Sequence, residues 1–103
     1  MDNFEIRFHE LPHSKPIRNS IRSKLAEWLK QHEFCGTRDE MAKVEFFRSD
    51  LDHKIGCYIE VKKGNTQWRN FEYGKGIQGT FQLCLKRLQE NTQLQNDLSM
   101  KGA

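Results

Sequence analysis

FEIRFH (residues 4–9) and SKPIRNSIRSKLAEWL (residues 14–29) are the two segments that decide the fold. In the first, Phe4, Ile6 and Phe8 alternate with charged or polar residues, which is the period of a half-buried strand. The second has the longer period of a helix. The two segments together predict a chain that begins with a strand and then forms a helix.

The helical segment carries its own start and stop signals. Ser14 is a suitable N-cap, and Pro16 lies in the first turn, where a missing N–H costs nothing. The pattern predicts a helix of roughly 15–18 residues that ends near Cys35 and Gly36, with Gly36 at the C′ position. Its apolar stripe comprises Ile17, Ile21, Leu25, Trp28 and Leu29.

Three further strands and a second helix follow. Alternation predicts strands over 42–48, 54–62 and 67–73, and the three- to four-residue period returns after the Gly74–Gly76 turn. The inward-facing strand residues are predicted to be Ala42, Val44, Phe46, Ile55, Cys57, Ile59, Val61, Phe71 and Tyr73, and the buried helix residues Ile77, Phe81, Cys84, Leu85 and Leu88.

The predicted fold is therefore α+β, in the order β-α-β-β-β-α, with two helices packed on one face of a four-stranded sheet. We expect one domain over residues 1–94 and a frayed polar tail over 95–103. The first strand distinguishes this order from a double-stranded RNA-binding domain, which begins with a helix.

Composition excludes several classes of protein. No run approaches the ~18 apolar residues that a membrane helix needs, and the N-terminus lacks the apolar stretch of a signal peptide. Cys35, Cys57 and Cys84 are odd in number and far apart, which argues against a secreted disulfide scaffold. We therefore expect a cytoplasmic protein. A core of this size leaves little room for an elaborate small-molecule substrate site.

The short motifs give little support for an enzyme. Gly74–Gly79 matches GxGxxG, but no strand follows the helix as a dinucleotide site requires. A tight turn explains it, and a phosphate held by Lys75 and helix N–H groups is the alternative. His9 with His13, and His32 with Cys35, lack the second pair of a zinc site. We predict no metal, no cofactor and no catalytic residue.

Charge is distributed more unevenly than the net value of +3 suggests. Residues 14–31 carry five basic side chains against one acid, and residues 54–90 carry seven against three. Two such segments predict a basic face that binds phosphate groups; an ordinary solvated helix surface is the alternative. The outer sheet face is predicted to present Phe47, Tyr58 and Trp68, which would form a dimer or partner interface or stack on unpaired bases.

Over residues 4–90 the chain resembles the ribosome hibernation-promoting factor family, also called the sigma-54 modulation or S30AE family. The resemblance rests on the element order and on the motifs Ile17-Arg18, Lys24-Leu25 with Trp28, Phe81, and Arg87-Leu88. It implies a domain that contacts small-subunit ribosomal RNA through its helices, in the channel for messenger and transfer RNA. Some members promote ribosome dimerisation.

Carried over by position, the resemblance makes Arg18, Lys24 and Arg87 RNA-facing, and the charge pattern adds Lys15, Arg22, Lys75 and Lys86. The expected function is a non-enzymatic, ribosome-associated protein that binds small-subunit rRNA and inhibits translation. The alternative is a protein-interaction or homodimerisation module that uses the aromatic sheet face. The family's second helix often ends in a lysine cluster, whereas this one ends in Gln89–Gln93.

Overall fold

A computed structural model describes residues 4–34, 39–49 and 53–102, apart from the side chains of Phe4, Gln89 and residues 91–102. The α+β order β-α-β-β-β-α is confirmed. The elements are β1 (Phe4–Phe8), α1 (Lys15–Gln31), β2 (Glu40–Arg48), β3 (Ile55–Lys63), β4 (Thr66–Gly74) and α2 (Ile77–Gly102).

The four strands form one mixed sheet in the order β1-β2-β3-β4. β1 and β2 are parallel, and the other neighbours are antiparallel. Parallel neighbours need a crossover connection, and α1 provides it. Residues Ile21 to Leu29 of α1 and Ile77 to Leu88 of α2 bury their apolar stripes in one cluster with the inner side chains of the strands. No helix of the described residues packs on the opposite face of the sheet, which is called the open face below.

The predicted start of α1 is confirmed, but its predicted end is wrong. The Ser14 hydroxyl accepts a hydrogen bond from the Ile17 N–H at 3.3 Å. The helix ends at Gln31, and Glu33 adopts a left-handed φ of 63°. The N–H groups of Glu33 and Phe34 then donate hydrogen bonds to the carbonyl oxygens of Lys30 and Leu29, respectively. These two bonds form a Schellman turn. Cys35 and Gly36, the predicted end, lie outside the described residues.

A ring contact explains why the turn occurs without a glycine. Phe34 lies 6.2 Å from Trp28 and 6.1 Å from Trp68, measured between ring centroids. A hydrophobic contact of this kind frequently accompanies a Schellman turn. The helix therefore ends where its last apolar side chains and Phe34 can pack together, which is a tertiary signal and not a local one.

The predicted register of β2 and β3 is confirmed, whereas that of β4 is wrong by one residue. Phe71 and Tyr73, predicted inward, are 41% and 58% exposed on the open face, and Trp68, predicted outward, is buried. The inward positions of β4 include Asn70, whose amide donates to the Cys84 carbonyl of α2 at 3.1 Å. Glu72 also points inward and forms an ion pair with Arg87 of α2. The two inward polar residues of β4 thus have polar partners on α2.

Helix α2 continues to Gly102, through a segment whose sequence predicts an irregular tail. The apolar period stops at Leu88, but residues 89–102 contain no proline and hold several good helix formers. Helix α2 is thus longer than its hydrophobic pattern indicates. The boundary between a domain over 1–94 and a tail over 95–103 stays a prediction.

Candidate nucleic-acid interface

The basic row of α1 consists of Lys15, Arg18 and Arg22. All three side chains are exposed, and their spacing places them within roughly 60° of one another around the helix axis. Ile21 and Leu25, both 0% exposed, anchor the neighbouring side of the helix in the core. Burial of that side keeps the three basic groups at the surface, where they can contact a polyanion.

Lys24 lies apart from the basic row. Its position is on the other flank of the buried stripe, roughly 150° from the centre of the row, and its side chain is half-buried. The α1 residues predicted to bind RNA therefore occupy two sides of the helix. A ligand that contacts the basic row would reach Lys24 only by extending across the helix.

Helix α2 presents its two predicted residues differently. Lys86 is exposed on the side opposite the buried stripe. Arg87 forms an ion pair with Glu72 of β4, with 3.0 Å between its Nη1 and the Glu72 Oε1. Glu72 is largely buried, whereas the Arg87 side chain is 54% exposed. Arg87 is thus held in place by a carboxylate that offsets part of its charge.

The glycine turn before α2 is a packed helix start. A Cβ at Gly74 would lie 2.3 Å from the Thr80 Oγ1, so only glycine leaves room there for the buried threonine. The Thr80 hydroxyl and N–H both donate to the Gly76 carbonyl, at 2.6 and 3.0 Å. These contacts favour the tight-turn interpretation of GxGxxG. Lys75 is exposed at the tip of this turn, and its binding of phosphate stays a prediction.

Summed over their ranges, the two helices carry eight Lys and Arg against three Asp and Glu. The outward strand positions carry Arg7, Lys43, Lys62 and Arg69 against Glu5, Glu45 and Glu60. The surplus of positive charge therefore belongs to the layer formed by α1 and α2, called the helical layer below. The charges of the open face are close to balanced. A surplus of this kind is the electrostatic feature expected of a surface that binds a polyanion.

The open face carries an aromatic cluster, formed by Phe47, Tyr58, Phe71 and Tyr73. Centroid distances are 6.1 Å for Phe47–Phe71, 6.4 Å for Tyr58–Phe71 and 4.9 Å for Phe71–Tyr73. Gly56 lies beneath: a Cβ there would meet the Phe71 Cζ at 2.9 Å. The ring covers the glycine as aromatic side chains do in sheets that tolerate an internal glycine. Of the predicted stacking residues, Phe47 and Tyr58 belong to this cluster and Trp68 does not.

A charged row crosses the same face next to the cluster. Glu5, Lys43, Glu60 and Arg69 are register partners on β1, β2, β3 and β4, so acid and base alternate across the sheet. Contacts along the strands add to this pattern: Glu5 pairs with Arg7, and Lys43 lies 3.8 Å from Glu45. The alternation exists only across paired strands, because no single strand contains it.

Titratable groups in the sheet are poorly suited to nucleophilic chemistry. The pKa of the Cys57 thiol is raised, mainly by a hydrogen bond with Cys84 and also by burial, so the reactive thiolate is disfavoured. Burial and a 2.8 Å hydrogen bond to Glu60 raise the pKa of Tyr58 as well. Both groups remain neutral at physiological pH.

The histidines proposed as metal candidates have other partners. His9 lies 3.2 Å from the Glu45 carboxylate, and His13 stacks on Phe8 at 3.8 Å. His32 stacks on Trp28, and its candidate companion, Cys35, is outside the described residues. Within the described ranges, no group of three or more His, Cys, Asp and Glu is placed to hold a metal ion. Among the same residues, no helix is both long and apolar enough to cross a membrane.

Comparisons with known proteins identify the fold. No family model matches the chain, and no curated protein sequence matches it. The crystal structure of the N-terminal domain of Protein Y from Thermus thermophilus matches with a TM-score of 0.63 and 21% identity, over 84% of this chain and 89% of that one.

The structure of a ribosomal subunit interface protein from Coxiella burnetii matches with a TM-score of 0.65 and 15% identity. The alignment covers 93% of this chain and 97% of that one. At identities this low, the structural similarity shows a shared fold and nothing more. The chain has the fold of these two proteins, over nearly its whole length.

Proposed function

We propose that this chain is a non-enzymatic, cytoplasmic, ribosome-associated protein that binds small-subunit rRNA through its helical layer and inhibits translation. The observation that carries the proposal is the concentration of exposed basic side chains on that layer, in a fold shared with a ribosomal subunit interface protein. The mechanism would be occlusion of the path of messenger and transfer RNA, which the sequence resemblance implies.

The basic row supports the electrostatic part of this proposal. Lys15, Arg18 and Arg22 follow one another at about one turn, or 5.4 Å of helix rise, on a surface that is otherwise short of acids. Guanidinium groups contact phosphate oxygens in a bidentate manner, and each neutralised phosphate releases counterions. Structured RNA is bound largely through its backbone and shape, for which a rigid basic helix is suitable.

Lys86 and Arg87 would extend the contact to α2. Arg87 does not need to give up its partner to take part, because its side chain remains 54% exposed while paired with Glu72. The pair instead restricts where the guanidinium can lie, which reduces the entropy lost on binding. We assign Arg18 and Arg22 the largest share of the binding free energy, and Lys24 the smallest among the seven predicted residues.

The test is co-sedimentation with purified small ribosomal subunits at several salt concentrations. Arg18→Ala with Arg22→Ala removes two charges from the helical layer, and Arg7→Ala with Lys62→Ala removes two from the open face. We expect the first pair to weaken binding by about tenfold or more at low salt and the second to change it by less than about threefold. Absence from subunits and ribosomes at every salt concentration, or equal losses for the two pairs, would refute the proposal.

A further inference from the structure

We propose that the open sheet face is a two-fold interface between two copies of this chain. The proposal is independent of ribosome binding, because the helical layer lies on the opposite side of the sheet. It rests on two features of the face that occur together: the aromatic cluster and the alternating charged row. The proposed interface therefore combines an exposed apolar cluster with a neighbouring row of charged residues.

Exposure identifies the apolar part of the face. Among the described residues, the large hydrophobic side chains that are most exposed are Met41, Phe71, Tyr73 and Leu83, at 39%, 41%, 58% and 36%. Three of these four lie on the open face, and only Leu83 belongs to a helix. Rings that pack on one another and on Gly56 form a continuous surface whose burial would be favourable.

The charged row indicates which partner covers that surface. A two-fold axis parallel to the strands, between β2 and β3, places β1 of one copy over β4 of the other and β2 over β3. Glu5 then faces Arg69 of the second copy, and Lys43 faces Glu60 of the second copy. Because the four charges alternate and are even in number, every facing pair along the row is of opposite sign.

The same charges disfavour a second two-fold arrangement. An axis perpendicular to the strands, along the row, would oppose each of the four residues to its own copy, and like charges would meet. The row therefore favours the axis parallel to the strands over this one. In the favoured one, Phe71 faces Arg7 of the second copy, where a cation–π contact is available. Aligned sheets cross at about 30°, an offset that long side chains can accommodate near the axis.

A single-stranded RNA is a poorer match for this face. Because Glu45 and Glu60 offset the basic residues beside the aromatic cluster, a phosphate backbone lying on this face would gain little net attraction. The available area agrees with a weak dimer. Strands of five and nine residues at about 3.3 Å rise and 4.8 Å spacing present roughly 500 Å² per copy, the low end of specific interfaces. Association should accordingly be visible only at high protein concentration.

Sedimentation velocity of the full chain, from about 10 µM to about 1 mM, is the test. We expect a reversible dimer. Tyr73→Ser should weaken it by about tenfold, and Leu83→Ser, the matched loss of an exposed hydrophobic on the helical layer, by less than about twofold. A chain that is monomeric throughout this range would overturn the proposal.

Charge exchange separates a contact between copies from a contact within the sheet. Arg69→Glu makes Glu5 face a carboxylate at both ends of the row, and should weaken the dimer by at least about tenfold. Glu5→Lys combined with Arg69→Glu restores opposite signs between the copies but leaves like neighbours within each sheet. We expect this double variant to recover dimerisation to within about threefold of the unmodified chain.

Two results would contradict the inference besides a monomeric chain. If the double variant stays as weak as Arg69→Glu, the row stabilises the sheet internally and does not face a second copy. If Tyr73→Ser abolishes binding of an oligouridine probe while leaving self-association unchanged, the aromatic cluster stacks on bases. Circular dichroism of each variant establishes that the sheet remains folded, so that loss of association is not loss of structure.

Discussion

The helical layer and the open sheet face differ in how they use charge. The helices carry eight basic residues against three acids, whereas the open face alternates acid and base from strand to strand. Exposed aromatic rings show the reverse distribution, since Phe71 and Tyr73 lie on the sheet. A surface of one sign is suited to a polyanion, and a balanced surface with apolar rings is suited to a protein. The small net charge of the chain conceals this division.

Strand β4 separates the two surfaces most sharply, because Trp68 lies on its inner face and Tyr73 on its outer one. Trp68→Ala should cost about 3–5 kcal/mol of unfolding free energy, since it removes a buried ring and leaves a cavity beside Phe34. Tyr73→Ala should cost less than about 1 kcal/mol. Urea denaturation measures both, and equal costs would contradict the register described above.

Two glycines allow a second comparison, between a position that faces the core and a position that faces the open face. Gly74→Ala should destabilise the chain by about 1–3 kcal/mol, because the new methyl group meets the buried Thr80 side chain and its backbone. Gly56→Ala should cost less, because the Phe71 ring that blocks it is exposed and can rotate away. Thermal unfolding of the two variants compares them, with Gly76→Ala, which has open space at its Cβ, as the control. A larger loss at Gly56 than at Gly74 would show that Phe71 is fixed.

The salt dependence of RNA binding provides a comparison of charge alone. Arg18→Ala with Arg22→Ala should reduce the slope of log K against log salt by roughly 1.4–1.8, because two phosphate contacts are lost. Fluorescence anisotropy with a labelled small-subunit rRNA fragment measures the slope. Arg7→Ala with Lys62→Ala, the charge-matched control on the open face, should leave it nearly unchanged. Parallel lines for all three proteins would mean that the basic row does not contact phosphate.

The smallest expected effect concerns Tyr58 of the aromatic cluster. Burial and the hydrogen bond to Glu60 raise its pKa, so the native state holds this proton more tightly than the unfolded chain does. Its contribution to stability is complete below the ordinary tyrosine pKa of about 10 and is lost as the pH rises through the raised value. Ultraviolet titration of Tyr58 should show the raised pKa, and Glu60→Gln should bring it closer to the ordinary value. An unchanged titration would remove Glu60 as a cause.

Much of the fold could be predicted because the spacing of apolar residues within a helix shows which side of it is buried. Ile21, Leu25 and Trp28 recur at the period of a helix, so the buried side of α1 follows from spacing alone. The basic row shares that advantage, since helical geometry relates Arg18 to Arg22 without reference to any other element. The seven predicted RNA-binding residues fall on the helices and the turn before α2, although their role stays a prediction.

The candidate sheet surface was harder to predict for a physical reason. In β4, aromatic residues occupy both faces, so hydrophobicity does not choose between two registers one residue apart. The choice depends on α2, where the Cys84 carbonyl and Arg87 provide partners for Asn70 and Glu72. Gly56, the second residue of β3, is a sequence signal for this surface, because an internal glycine indicates a close approach by another group.

The sequence by itself determined the element order, the buried stripes of both helices, the inner faces of β2 and β3 and the basic helical segments, because each depends on the period of one local segment. Tertiary structure decided the end of α1 at Gln31, the register of β4 and the charged row across the open face. Each of these depends on groups distant in the chain, so no local period records it. Strand pairing and helix packing bring those groups together, and the two surfaces of this protein acquire their different characters only then.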